Sequence, residues 1–391
     1  MRKHLTLFIV LIVTSSYAVV SRAATPADAP FWTGQRDAAS FTTLQEDRLT
    51  KARESLDRML AVTGKRTIEN TLKPYDEMLT YLDAVANQAS LIKEVHPDES
   101  VRTAAEKINQ KAEAFNTEVS LNRAVYDALA ALDLTGADAE TRYYVERTLR
   151  DFRLAGVDKD EATRKRIKQL RDELVVIGQE FARNIRDDKR TVIANSVAEL
   201  DGLPADYIAR HKPGPDGKIT LTIDYPDSLP IFSYAKNEDL RKRMYIAYNN
   251  RAYPQNMAVL DRMIARRHEL ANLVGFTNWA DYITADKMVG SGKNASMFID
   301  RVVEASKTMA AKEYQTLLTR KQKDVPAATV VNAWENAYYS ELVRKAEYDF
   351  DSQSVRPYFQ YDKVKQGVLD VTSKIFGVTF QPATWRKTPR A

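Results

Sequence analysis

Hydrolytic or transfer chemistry needs nucleophiles, acids, bases or metal ligands at usable spacing, and this 391-residue sequence supplies few of them. It has no cysteine and four histidines, His4, His96, His211 and His268. The missing cysteine removes disulfides, thiolate nucleophiles and Cys-based zinc sites. Two histidines reach one zinc ion from a single helix face when they stand one turn apart, as in H-E-x-x-H, with the intervening Glu as general base. His268-Glu269 opens such a pattern, but the run reads His-Glu-Leu-Ala-Asn, so Asn272 stands where the second histidine is required. It is read as a surface histidine on a helix that leads to a glycine turn. His96 before Pro97 reads as a helix terminator, and His211 lies beside a turn-rich segment with no acidic partner evident in the sequence. No residue is therefore assigned a catalytic or metal-binding role.

Other chemistries fare no better. There is no G-x-S-x-G, and Gly290-Ser291-Gly292-Lys293 lacks the upstream glycine spacing of a phosphate-binding loop, so it reads as a turn between helices. The aromatic-rich run Ala333 to Tyr339 is the remaining candidate: Trp334, Tyr338 and Tyr339 offer area with a polar tip and could line a peptide channel. Trp334 and Tyr338 at i and i+4 are equally the pattern of a helix core, and spacing favours that reading.

These residues must be positioned by helices. Only 13 Gly and 14 Pro punctuate the chain, and apolar residues recur at helical spacing through most of it. Thr43 and Glu46 form a capping-box pattern ahead of Leu49, Ala52, Leu56, Met59 and Leu60, with Gly64 ending the run. A second helix is expected from about Pro74 to Glu94 on the stripe Leu79, Leu82, Val85, Ala86, Ala89 and Ile92, and a third, capped by Asp98 or Ser100, extending to Leu132. Helices follow at 140–154 and 160–187. Pro213 to Gly217 then leads into Ile219, Leu221 and Ile223 alternating with Thr220 and Thr222, a half-buried strand and the one small β-hairpin expected. Helices resume at about 237–250, 254–273, 279–288, 295–321 and 326–346. The fold class is all-α, mainly helical.

Arg2, Lys3 and His4 precede an apolar run from Leu5 to Val13 and then small residues, the pattern of a cleavable signal peptide at 1–23, with Ala18 a competing site. The run is too short to span about 30 Å of hydrocarbon, so export, to the periplasm or medium, is expected without stable membrane insertion. Cleavage leaves 55 Lys and Arg against 53 Asp and Glu. With no basic block interleaved with aromatics, nucleic-acid binding has no support.

Three long stretches carry a resemblance. The first is Asn70 to Phe115, "NTLKPYDEMLTYLDAVANQASLIKEVHPDESVRTAAEKINQKAEAF"; the second begins at Ile219, "ITLTIDYPDSLPIFSYAKNEDLRKRMYIAYNNRA", continuing with "RHELANLVGFTNWADYITADKMVGS"; the third begins "AWENAYYSELVRKAEYDFDSQSVRPYFQYD". They resemble the thimet oligopeptidase, oligopeptidase A and peptidyl-dipeptidase family of zinc metallopeptidases. The resemblance implies a two-lobed helical shell around a deep channel, in which a zinc-bound water cuts short peptides. With the signal peptide 1–23 and the Pro- and Gly-containing linker 24–40, the resemblance gives the domain order: N-terminal helical lobe 41–193, hairpin and helices opening the peptidase lobe at 194–382, and then a divergent tail 383–391. It fades after Phe380, ahead of the family's H-E-x-x-H helix. The expectation is thus an N-terminal portion, inactive alone and binding no zinc, unless a separately encoded C-terminal catalytic segment completes it. A non-catalytic helical module that binds peptides or proteins is the alternative. Helices from about Asn237 onward are expected to expose apolar faces that evolved to pack on absent partners.

Overall fold

A computed structural model describes residues 37–381. The signal peptide 1–23, most of the linker 24–40 and the tail 383–391 lie outside the described residues. Of the described residues, 37–360 form one compact unit; the helix Tyr361–Phe376 belongs to another.

The described residues open with α1 (Ala38–Leu60), which starts five residues ahead of the expected capping box. Asp37 is the cap: its Oδ1 accepts from Ser40 N at 2.7 Å, satisfying one of the donors a helix leaves orphaned at its start. A wide turn at Ile68–Leu72 feeds α2 (Lys73–Val95), which buries Met78, Leu82, Val85, Ala89 and Ile92, with Met78 in place of Leu79. Asp98 caps α3 (Glu99–Ser120) through Ser100 N at 2.7 Å. The expected continuation to Leu132 is broken. Asn122 Oδ1 accepts from Ala124 N at 2.9 Å and Val125 N at 3.3 Å, starting a separate α4 (Arg123–Ala130). Phe41, Met59, Met78, Ile92, Ile108 and Phe115, all at most 1% exposed, fill the space between α1, α2 and α3.

Next come α5 (Ala139–Ala155) and α6 (Glu161–Asp187). After them β1 (Thr191–Ala194) pairs antiparallel with β2 (Ile219–Thr222), Thr191 opposite Thr222 and Ala194 opposite Ile219. The expected strand is thus present, but its partner lies before α7 (Ala205–Arg210) rather than across a tight turn. Alternation decides the faces: Ile219 and Leu221 are buried and Thr220 and Thr222 exposed. Two strands alone bury too little to be stable. Here Leu200, Leu203, Tyr207, Ile231, Leu240 and Met244 cover the inner face. The edges are occupied as well, since Arg243 Nη1 donates to Ile193 O and Thr222 N donates to Asp227 Oδ2 at 2.9 Å.

The stretch holding Pro226 and Pro230, expected to be non-helical, is α8 (Tyr225–Tyr234). Pro226 falls in the first turn, where its missing N–H is no loss, and burial of Ser228 and Ile231 offsets the bond that Pro230 omits. Then follow α9 (Glu238–Asn249), α10 (Gln255–Leu273), α11 (Trp279–Thr284) and α12 (Gly292–Asp324). The α10 helix lies on α6, tied by Arg166 to Glu269 at 2.7 Å, Arg262 to Glu180 at 2.7 Å, and Arg266 to Glu173. The helix expected from 326 begins later: residues 326–332 are non-helical, a short 3-10 turn spans Ala333–Glu335, and α13 runs Asn336–Tyr348. The separate α14 (Tyr361–Phe376) exposes Val364, Val368, Val371 and Ile375 at i, i+4, i+7 and i+11. No helix among the described residues is long and apolar enough to cross a membrane.

Candidate functional site

The Trp334 region is anchored by a buried ion pair. Glu335 is fully buried, and its Oε2 accepts from Lys321 Nζ at 2.6 Å, Asn332 N at 2.7 Å and Asn332 Nδ2 at 3.0 Å. Lys321, also buried, donates further to Val330 O at 3.0 Å. Burial alone would raise the Glu335 carboxyl, but the Lys321 ammonium and the Asn332 donors outweigh it and hold it below its ordinary value. This knot ties the end of α12 to the 3-10 turn and so fixes where Trp334 stands. A second buried cation, Arg241 on α9, donates from Nη1 to Ala235 O at 2.6 Å and Lys236 O at 3.1 Å, and its guanidinium lies 4.2 Å from the Tyr338 ring centre.

These anchors separate the three aromatic candidates. Tyr339 is core: it is 4% exposed, and burial, with Asp324 and Glu335 nearby, pushes its hydroxyl up to about 12. Tyr338 is half-buried beneath Arg241 and meets Tyr339 edge-on at 5.2 Å. Trp334 is half-buried too, but it joins a row of rings that sequence reasoning missed. Tyr225 meets Tyr248 at 6.2 Å, Tyr248 meets Phe232 at 5.9 Å, Phe232 meets Tyr245 at 6.3 Å, and Tyr245 meets Trp334 at 6.3 Å. Lys242 lies 5.1 Å over Trp334 and Arg251 5.4 Å over Tyr248, while Trp334 Nε1 donates to Glu238 at 3.3 Å. The row's one sequence signal is the spacing of Arg241, Tyr245 and Tyr248 along a single face of α9. Its chemistry is that of contact: ring faces for apolar side chains and flanking cations for carboxylates. On the opposite face of α9, Arg190, Val192, Asn195, Asp239, Arg243 and Ile246 help to line a cleft of about 730 Å³.

The histidines are held in structural roles. Both ring nitrogens of His211 face acceptors, Nδ1 the Tyr207 carbonyl at 2.8 Å and Nε2 the Asp227 carboxylate at 2.9 Å, and the ring stacks on Tyr207 at 4.2 Å. The acidic partner absent from the local sequence thus arrives from α8, sixteen positions on. His96 Nδ1 accepts from Asp98 N at 3.1 Å at the start of α3. His268 Nε2 accepts from Asn272 Nδ2 at 3.1 Å, and the neighbouring Glu269 is engaged by Arg166, which holds its carboxyl below the ordinary range. A zinc site asks for three protein ligands converging on one point. Among the described residues no group of three His, Asp or Glu side chains does so, and these histidines do not fit the ion.

Residues 231–389 match Peptidase family M3, a match that runs past Phe380 into the segment expected to diverge. Oligopeptidase A of Escherichia coli (strain K12) is 28% identical over 351 residues, covering 85% of this chain and 51% of its own length. Saccharolysin of Saccharomyces cerevisiae is 25% identical over 331 residues, 80% of this chain and 46% of its own. A probable thimet oligopeptidase of Arabidopsis thaliana is 24% identical over 350 residues, 87% and 48%. The chain spans about half the length of the curated relatives it matches. Residues 231–389 are thus similar to Peptidase family M3, and most of the chain is similar to about half the length of oligopeptidase A, saccharolysin and thimet oligopeptidase.

Proposed function

We propose that this chain supplies the helical shell and a peptide-contacting surface of a zinc-dependent oligopeptidase, and that the 391 residues alone bind short peptides without cleaving them. The observation that carries the reading is the similarity to peptidases named oligopeptidase across 85% of the chain. In such an enzyme zinc would polarise the scissile carbonyl and activate water. The described residues offer no group of three ligands for the ion, and their part in the reaction is to hold the peptide. What they offer is the aromatic row from Tyr225 to Trp334, with Lys242 and Arg251 to meet peptide carboxylates. Two further parts of the proposal rest on sequence: export after removal of residues 1–23, and a lobe boundary near residue 194.

The test is fluorescence anisotropy of labelled peptides about ten residues long. Binding should saturate, and Trp334→Ala should weaken it roughly tenfold, the scale of one lost ring contact. Equal affinity in the variant, or no binding by the parent chain, would contradict the reading.

A further inference from the structure

The groove along β1, on the side of α9 away from the aromatic row, plays no part in the peptide contacts above. Thr222 N turns outward to Asp227, and Ile193 O turns outward to Arg243. Residues of an antiparallel pair alternate between bonding across the ladder and pointing away from it. Thr191, opposite Thr222, and Ile193 therefore project N–H and C=O to the outer edge of β1. Arg243 covers only Ile193 O; Ile193 N–H and both backbone groups of Thr191 have no hydrogen-bond partner among the described residues. This edge opens on the cleft of about 730 Å³ walled by Arg243 and Ile246 of α9. Charges there are matched, since Arg243 pairs with Glu199 and Asp239 at 2.6 Å and Arg190 with Asp188 at 2.9 Å. Ile193 and Asn195 also line a second cleft, of about 600 Å³, so the two meet along the strand. The second cleft is cationic. Arg210 and Lys212 flank His211, whose ring is tied inward to Tyr207 O and Asp227, and Lys218 enters from the turn before β2. All three cations are exposed, and none forms an ion pair with a described residue. The one carboxylate lining that cleft, Asp216, accepts from Lys218 N at 3.1 Å.

We infer that this groove is a second peptide site, selective for extended peptides that carry acidic residues. The inference rests on the peptide-binding reading above and adds a specificity to it. Two independent features select the occupant. An open strand edge presents donors and acceptors at the repeat of an extended polypeptide, and a peptide binds such an edge by adding a strand to it. The unpaired cations then choose the side chains: carboxylates at one end of the added strand meet Arg210, Lys212 and Lys218 without displacing an existing ion pair. Along the middle, Ile193 and Ile246 are 38% and 48% exposed, which suits β-branched or apolar neighbours on the added strand. Because β1 is only four residues long, backbone pairing alone holds little, and the charges carry the discrimination.

The experiment compares labelled peptides by anisotropy on the full 391-residue chain: alternating Val and Thr ending in a run of Glu, the same peptide with Gln for Glu, and the Glu peptide N-methylated at alternate backbone nitrogens. The Glu peptide should bind about tenfold more tightly than the Gln peptide at low salt, the scale of two or three exposed charge contacts. Lys212→Glu with Lys218→Glu should erase that ratio, whereas the same charge change at the exposed Lys107 and Lys165 should leave it. N-methylation should weaken binding, and the bound Glu peptide should slow amide exchange at Thr191 and Ile193. Equal affinity for the Glu and Gln peptides, a ratio that survives the Lys212 and Lys218 changes, or indifference to N-methylation overturns the inference. So does inorganic phosphate that displaces the Glu peptide and slows the same amides, which would make this a plain oxyanion site. Trp334→Ala separates the two claims, because it should weaken both peptides without changing their ratio. A lost ratio with that Trp334 effect retained removes only the groove; a ratio retained while Trp334→Ala changes nothing removes the aromatic-row reading instead.

Discussion

Lys321→Met isolates the contribution of the buried knot beneath Trp334. The substitution keeps the stem that packs between α12 and the 3-10 turn but removes the ammonium 2.6 Å from Glu335 Oε2. Glu335 is then a fully buried carboxylate left with Asn332 as donor, and its Oε1 has no hydrogen-bond partner even in the parent chain. Breaking a buried pair by removing one member costs about 3–5 kcal/mol. Glu335→Gln, which strands Lys321, should cost a similar amount, and the double change less than the sum of the two, because neither charge is then buried alone. The pH dependence has a definite sign. The Glu335 carboxyl is held below its ordinary value of 4.5 in the folded chain, so its contribution is present above that pH and is lost as pH falls through the lowered folded value. The penalty of Lys321→Met should accordingly be largest at neutral pH and shrink as pH falls, starting above pH 4.5, because burial without the ammonium raises the stranded carboxyl and it takes up its proton before the parent's does. Urea unfolding followed by circular dichroism at several pH values measures both effects. A loss below about 1 kcal/mol at pH 7, the scale of an exposed pair, or one that does not change with pH, would show that the pair carries no such energy.

Two further outcomes follow from local geometry. Gly202 has φ +91°, and a Cβ there would run into the Tyr234 carbonyl oxygen, so Gly202→Ala should cost about 2–4 kcal/mol by denaturant unfolding, from left-handed strain plus overpacking. Arg241→Met removes the donors to Ala235 O and Lys236 O and the contact with Tyr338; thermal unfolding should show a loss of about 2–4 kcal/mol, and restoration by Lys should be poor, because an ammonium cannot reproduce the planar stack.

Much of the fold was legible because helix periodicity and capping are local. The stripe of α2 and the alternation of β2 lie in windows of a few turns, and each element appears where its pattern stands. Long-range decisions were not legible. The partner of β2 comes from Thr191–Ala194, ahead of a separate helix, and no local turn signal announces it. The break at Asn122 depends on one side chain capping rather than continuing a helix, and α8 forms despite two prolines because of what it buries. The candidate site divides in the same way. The lack of an H-E-x-x-H pair is a property of sequence alone. The pairing of His211 with Asp227, the role of Lys321 as the ion that fixes Glu335, and the row joining Tyr225 to Trp334 require α8, α9 and α13 to be assembled first. Trp334 and Tyr339, five positions apart, consequently part company: one joins a partly exposed row and the other is sealed in the core.

Binding without cleavage is decided by an initial-rate assay of the purified 391-residue chain on a quenched fluorescent peptide that it is shown to bind, with added zinc and with a chelator. Saturable binding is expected, with no turnover above the buffer rate under either condition. Peptide cleavage that rises with zinc, saturates with substrate and disappears on chelation would contradict the proposal that these residues hold peptides and leave the chemistry to others.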